Sequence, residues 1–351
     1  MPDNQANEDI VVARNLTKVF KDFWLREKVV AVSDLDLHIR AKEVFAILGP
    51  NGSGKSTVLK MLLGLLFPTR GKISVFSHPP TDVRTKGRIG YLPEESYLYG
   101  FMDARETLDY FARLFRQPRR MRRARTESLL EMVGLRRVAH RRVGEYSKGM
   151  QRRLGLAQAL INDPDLLILD EPTSGMDPLG TKKTKDLIRT LAERGKTVIL
   201  SSHLLGDVED VCDRVTILYG GKQRRTGTIE ELLARQDRTR LIMDHLDESE
   251  IKKVEQMLQA SGHEIHEVSA PHDRLENLFL RIVNDARTER LSTGGALAGG
   301  AVADFLRHGQ GDEGRDVIDN LVAAGAPEPV TQEADQSVAA QGQTADEEPL
   351  Q

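Results

Sequence analysis

The chain has 351 residues, with 50 Lys and Arg against 53 Asp and Glu for a formal net charge of −3, long enough for one or two domains with a sizeable core. Near-neutral charge gives no global signal for nucleic-acid binding, and the single cysteine, Cys212, excludes an intramolecular disulfide and suits a reducing compartment. No apolar run approaches the ~20 residues of a membrane-spanning helix, and the polar, acidic start (Asp3, Glu8, Asp9) has no secretory signal, so a soluble, cytoplasmic chain is expected.

Residues 1–9 read as a flexible N-terminus. From 10 to 40 the chain is β-rich, with Ile10-Val11-Val12-Ala13, Val29-Val30-Ala31-Val32 and clean alternation over Leu35-Asp36-Leu37-His38-Ile39. Phe20, Phe23 and Trp24 cluster within it. Val44-Phe45-Ala46-Ile47-Leu48 has the apolar pattern of a buried parallel strand. Gly49-Pro50-Asn51-Gly52-Ser53-Gly54-Lys55-Ser56-Thr57 follows and matches G-x-x-x-x-G-K-[ST]. A helix over 56–63 then turns Val58, Leu59, Leu62 and Leu63 inward. Strand, loop and helix in this order make a phosphate-binding loop. Its glycines let successive N–H groups face one anion, and the helix N-terminus adds partial positive charge. Lys55 is expected to reach the β- and γ-phosphates of a nucleotide, and the Ser56 hydroxyl to ligate Mg²⁺.

Further on, Ile89-Gly90-Tyr91-Leu92-Pro93 leads into Glu94 and Glu95. Asp103 with Glu106 makes a capping box that opens a helix. Seven arginines between 113 and 125 form a basic cluster, read as a solvated face, with acidic lipid or a membrane subunit's loop as the alternative contact. Ser147 is a natural N-cap for a helix with Met150, Leu154, Leu156, Ala157 and Leu160 apolar, and such a capped end is also an anion site. Leu166-Leu167-Ile168-Leu169 is an apolar strand ending in Asp170 and Glu171, where a nucleotide-bound Mg²⁺ needs a carboxylate. Residues 197–201 form another buried strand, with His203 just past it, and 214–225 read as a hairpin turning at Gly220-Gly221. Beyond 227, a strand over 240–245, a helix over 248–260, a strand over 264–268 and a helix over 274–280 make a small α/β appendage (238–286). Residues 287–351 are rich in Ala, Gly, Gln and Glu, with ten acidic and one basic residue from Asp312 onward, and are expected to be disordered. A short helix over 316–323 is either transient or a docking element.

The phosphate loop, Tyr146-Ser147-Lys148-Gly149-Met150, Asp170-Glu171, Ser174-Gly175-Met176-Asp177 and Ser201-Ser202-His203, in this order, resemble the ATP-binding-cassette (ABC) ATPases over residues 10–227. Tyr146–Met150 looks like a variant of the family signature, more usually Leu-Ser-Gly-Gly-Gln. The resemblance implies an α/β P-loop NTPase cassette over 10–237: a mixed core sheet with flanking helices, an antiparallel β edge and an inserted α-helical subdomain at about 96–161. It implies ATP and Mg²⁺ as ligands, with Phe20 stacking on the adenine. Phe20 as an ordinary core residue, and Trp24 as the stacker, remain alternatives. It further implies Mg²⁺ at Ser56 and Asp170, Glu171 as general base, and His203 on the γ-phosphate. Ser147, Lys148, Gly149 and Met150 would close over the ATP held by a second copy of the cassette, and Asp177 would tie the two sites together. Glu94 stands where the family usually has Gln; its carboxylate either ligates Mg²⁺ or adds repulsion beside the γ-phosphate. The expected function is the ATPase subunit of a transporter, most like bacterial multidrug-type exporter ATPases. It would work with a separately encoded permease on the cytoplasmic face of the membrane, with no nucleic-acid partner. A soluble cassette ATPase acting on ribosomes or DNA, and a regulatory ATP-binding protein, are the alternatives.

Overall fold

A computed structural model describes residues 9–24, 27–234, 244–269, 282 and 302–306. The chain divides into Met1–His308 and Gly309–Gln351, and all described residues lie in the first unit. The elements begin with β1 (Asp9–Lys21), β2 (Glu27–Arg40), β3 (Val44–Leu48), α1 (Lys55–Leu62), β4 (Arg70–Val75), α2 (Val83–Lys86) and β5 (Ile89–Leu92). Three helices follow, α3 (Ala104–Leu114), α4 (Arg119–Met132) and α5 (Lys148–Leu160). Then come β6 (Leu166–Asp170), α6 (Pro178–Glu193), β7 (Thr197–Ser202), α7 (Leu205–Val211), β8 (Arg214–Tyr219), β9 (Lys222–Thr228), α8 (Ile229–Leu233) and α9 (Glu248–Ala260).

The nine strands form one sheet in the order β4-β1-β2-β9-β8-β3-β7-β6-β5. β1, β2 and β4 pair antiparallel at one end, while β3, β5, β6, β7 and β8 run parallel. Every side chain of β3, β6 and β7 is buried, which explains why these strands read as continuous apolar runs rather than alternating ones. The alternation is still present, because it sorts residues between two cores. Phe45, Ile47, Ile168 and Ile199 pack with Val58, Leu59 and Leu62 of α1 and with Leu16 and Leu35 of the β edge. Val44, Ala46, Leu48, Leu169 and Leu200 pack on the opposite face with α3 to α7. Each fully buried Leu or Phe contributes about 1.5–3 kcal/mol relative to an exposed one. Parallel pairing brings the C-terminal ends of β3, β6 and β7 to one edge, where the phosphate loop, Asp170-Glu171 and Ser202-His203 emerge.

Local signals hold where they are strongest. Asp103 accepts from the Glu106 N–H at 2.8 Å while Glu106 accepts from the Asp103 N–H at 3.0 Å, closing the capping box of α3. β8 and β9 join through Gly220 (φ 60°) and Gly221 (φ 73°), the two left-handed positions that a two-residue hairpin needs. In the basic cluster, Arg113 and Arg122 both bond Asp109 at 2.7 Å, and Arg122 and Arg125 are half-buried. Arg116, Arg119, Arg120 and Arg123 are exposed.

Two expectations need correction. Residues 264–268 carry no strand and are mostly exposed; a strand needs a ladder partner, and the expected one, over 240–245, falls outside the described residues except for its last two, which have no regular structure. Residues 302–306 lie in the stretch expected to be disordered, yet Ala303 and Leu306 are buried in the helix-side core. Arg194 Nη1 donates to the Val302 and Ala303 carbonyls, both at 3.0 Å, and the Arg125 guanidinium lies 4.5 Å from the Phe305 ring centroid. The reason is local: the apolar run Val302-Ala303 and Phe305-Leu306 is diluted in the composition of a 65-residue tail. The expected helices over 274–280 and 316–323, like residues 1–8, lie outside the described residues.

Candidate functional site

The loop after β3 is shaped by close backbone approaches. The Gly49 N–H donates to the Ser202 carbonyl at 3.2 Å, extending the β3–β7 ladder past its end. A Cβ at Gly49 would lie 2.4 Å from the Leu218 carbonyl oxygen, and one at Gly54 2.4 Å from that of Ala31. Gly54 also has φ 104° and is the N-cap of α1, with no side chain capping that end. The first N–H groups of α1 are therefore left for an anion. The Ser53 hydroxyl is buried without a hydrogen-bond partner among the described residues, a second sign that this cradle is built around a ligand.

Lys55 is buried and donates to the Gly49 carbonyl at 2.8 Å and the Pro50 carbonyl at 3.3 Å. Its ammonium also lies 3.3 Å from Glu171 Oε1. The other oxygen, Glu171 Oε2, is 2.8 Å from His203 Nδ1. An ionised carboxylate only accepts, so this contact places the proton on Nδ1. Ser56 Oγ is 3.3 Å from Asp170 Oδ1, and Ser201 Oγ bonds the same oxygen. Glu171 is a non-glycine residue in the left-handed region (φ 51°), held by its N–H to the Ser201 carbonyl at 3.2 Å and hydroxyl at 3.1 Å. Such backbone is costly and clusters where function needs it. The open cleft between these groups holds about 540 Å³, and its walls include Asn51, Gly52, Gly54 to Thr57, Glu94 and Glu171. That volume suits a nucleotide. Ser56, Asp170 and the nearby Glu94 are all oxygen donors, the set a hard divalent cation such as Mg²⁺ takes.

The remaining expected residues stand apart. Val29, Val30 and Ala31 line the cleft, whereas Phe20, the strand partner of Val29, does not and is about two-fifths exposed. Trp24 is more exposed still and pairs edge-to-face with Phe23. Ser147 caps α5, accepting from the Met150 N–H at 3.2 Å, but Ser147 and Lys148 are exposed, and none of Ser147, Lys148, Gly149 and Met150 lines the cleft. Asp177 is likewise exposed, capping α6 through the Gly180 N–H at 3.2 Å. One buried group was missed. Arg152 of α5 reaches the carbonyls of Pro93, Glu94, Asp170 and Glu171. Burial pulls its guanidinium down to about 10, against the opposing pull of Asp170, Glu94 and Glu171. A signal was available: Arg152 sits four residues before Leu156, on the stripe that α5 buries.

The profile of the ABC transporter family matches residues 32–174. The uncharacterized ABC transporter ATP-binding protein sll0415 of Synechocystis sp. is 38% identical over 291 residues, 81% of this chain and 82% of its own length. The ABC transporter ATP-binding protein NatA of Bacillus subtilis is 40% identical over 221 residues, 62% of this chain and 90% of its own. The Nod factor export ATP-binding protein I of Bradyrhizobium diazoefficiens is 42% identical over 224 residues, 63% of this chain and 72% of its own. Among solved structures, the dimeric post-hydrolysis state of the ATP-binding cassette MJ0796, bound to ADP and Pi, aligns with a TM-score of 0.58 and 28% identity, covering 62% of this chain and 98% of that one.

Proposed function

Because the chain belongs to the ATP-binding proteins of ABC transporters, and so binds and hydrolyses ATP, we propose that its cleft and its exposed α5 N-terminus are two halves of one site, completed only between two copies. The phosphate loop holds ATP, with the Lys55 ammonium exchanging the Glu171 carboxylate for β- and γ-phosphate oxygens. Ser56, Asp170 and Glu94 would hold Mg²⁺, which when bound neutralises charge on those phosphates. Glu171, freed from Lys55, accepts the proton of the water that attacks the γ-phosphate. His203 keeps the Glu171 carboxylate oriented through Nδ1–H, and as an imidazolium it also donates its Nε2–H to the phosphate. From the second copy, Ser147, Lys148, Gly149 and Met150 present an uncovered helix end to the same γ-phosphate, and Asp177 links the two sites. Each copy gives and receives the same surfaces, as in a two-fold dimer.

The single observation that supports this reading most is the convergence of Lys55 and His203 on the two oxygens of Glu171, beside Asp170 and Ser56. The dimeric state of the MJ0796 cassette supports pairing. Likeness to a Nod factor export protein supports export through a separately encoded permease, with this subunit on the cytoplasmic face of the membrane. Among the described residues no helix is long and apolar enough to cross a membrane, which leaves the pore to that permease. The test is ATP binding and turnover in Lys55→Ala and Glu171→Gln. The first should lose ATP affinity; the second should keep it and lose turnover. Undiminished binding in the first, or normal turnover in the second, would contradict the assignment.

A further inference from the structure

β5 and β6 are parallel neighbours whose ladder ends at Leu92 opposite Leu169. Just past that point the chains carry the groups that matter, Glu94 on one side and Asp170-Glu171 on the other. Their backbones are joined there by a side chain. Arg152 Nη1 donates to the Pro93 carbonyl and to that of Glu94 at 2.9 Å, while Nη2 donates to the Asp170 carbonyl and to that of Glu171 at 2.8 Å. Each terminal nitrogen serves one strand end. Arg152 is 4% exposed and makes no ion pair among the described residues, so these four carbonyls, together with the through-space pull of Asp170, Glu94 and Glu171, offset its burial. It is also the second turn of the helix whose first turn is Lys148 to Met150.

We propose that Arg152 is a positioning residue for hydrolysis, which ties the Glu94 and Glu171 backbones together from α5. Glu171 is the member most in need of such support. Its left-handed backbone is held on the N–H side by Ser201 and on the carbonyl side by Arg152. Loosening either lets the carboxylate drift from Lys55 and His203, and a displacement of about 1 Å at a reacting group costs on the order of a hundredfold in rate. Among the described residues no hydrogen bond joins the phosphate loop to these carbonyls, so ATP affinity is expected to change less than turnover. Lysine cannot substitute, since one ammonium cannot serve two separated pairs of acceptors as a planar fork does.

The proposal rests on Glu171 acting in hydrolysis, so Glu171→Gln is measured beside Arg152→Lys and Arg152→Met in the full chain. Turnover, KM and binding of a fluorescent ATP analogue are read together with the melting temperature. Expected is a kcat at least about tenfold below the parent in both Arg152 variants, with ATP affinity within about threefold. A folded Arg152→Lys with kcat within about twofold of the parent overturns the proposal, as does a fall of kcat, affinity and melting temperature in step, which marks a mere core staple. Should Arg152→Met not fold, Arg152→Lys decides alone. Inactive Glu171→Gln with active Arg152 variants sinks only the positioning role; active Glu171→Gln sinks the role of Glu171 and this proposal with it.

Discussion

Glu94 and Glu171 both line the cleft proposed to hold ATP, so on that reading like charges accumulate beside its phosphates. Lys55 and the first N–H groups of α1 offset part of this charge. Replacing Glu94 with Gln removes one negative charge without changing shape. Without Mg²⁺, ATP should then bind more tightly by up to about tenfold, a difference of ~1.4 kcal/mol, and less so at high salt. Isothermal titration at two ionic strengths checks this; unchanged affinity at both would place the carboxylate clear of the phosphate. A different kind of burial protects Cys212. It is the sole cysteine, is buried, and its thiol is pushed far up, first by desolvation and then by Asp213 and Asp207. A thiol kept protonated and covered is inert. Ellman's reagent should label the native protein very slowly and the guanidinium-unfolded protein at once; rapid native labelling would contradict that placement.

At the scale of elements, motifs with a local mechanism were legible and those set by distant packing were not. The β3 strand and its loop, the Asp103 cap and the Gly220-Gly221 turn each follow from neighbours in sequence. Lys55, Ser56, Asp170, Glu171 and His203 come together because parallel strands end on one edge, which strand patterns also announce. Arg152 escaped notice because a charge on a buried stripe makes sense only once the four carbonyls it meets are known. Phe20 is not among the residues that line the cleft, and spacing alone does not set where a stacking aromatic lies. Residues 302–306 were hidden by the composition around them. They clasp α4 through Arg125 and the end of α6 through Arg194, so they act as an added element of the core. Leu306→Ala should cost about 2–4 kcal/mol of stability. Truncation after His308 should leave the denaturant midpoint unchanged, whereas truncation before Val302 should lower it. Equal midpoints for the two truncations would show that the segment does not pack.

For the whole molecule the division of labour between surfaces is the central point. The cleft is walled by the phosphate loop, Glu94 and Glu171, with Asp170 and His203 bonded beside them, while Ser147, Lys148 and Asp177 face solvent on the same chain. On the proposed reading a single copy lacks one wall of the site, and ATP would join two; binding would favour the closed pair, and hydrolysis would remove the phosphate that both copies grip. Blocking hydrolysis should trap the closed form. The decisive measurement is light scattering behind size-exclusion chromatography on Glu171→Gln with Mg²⁺, with and without ATP, alongside the same protein carrying Lys55→Ala as well. The account predicts a dimer only for Glu171→Gln with ATP, and monomers in the other three samples. A Glu171→Gln protein that stays monomeric with saturating ATP, or dimerises equally without it, would contradict the shared site.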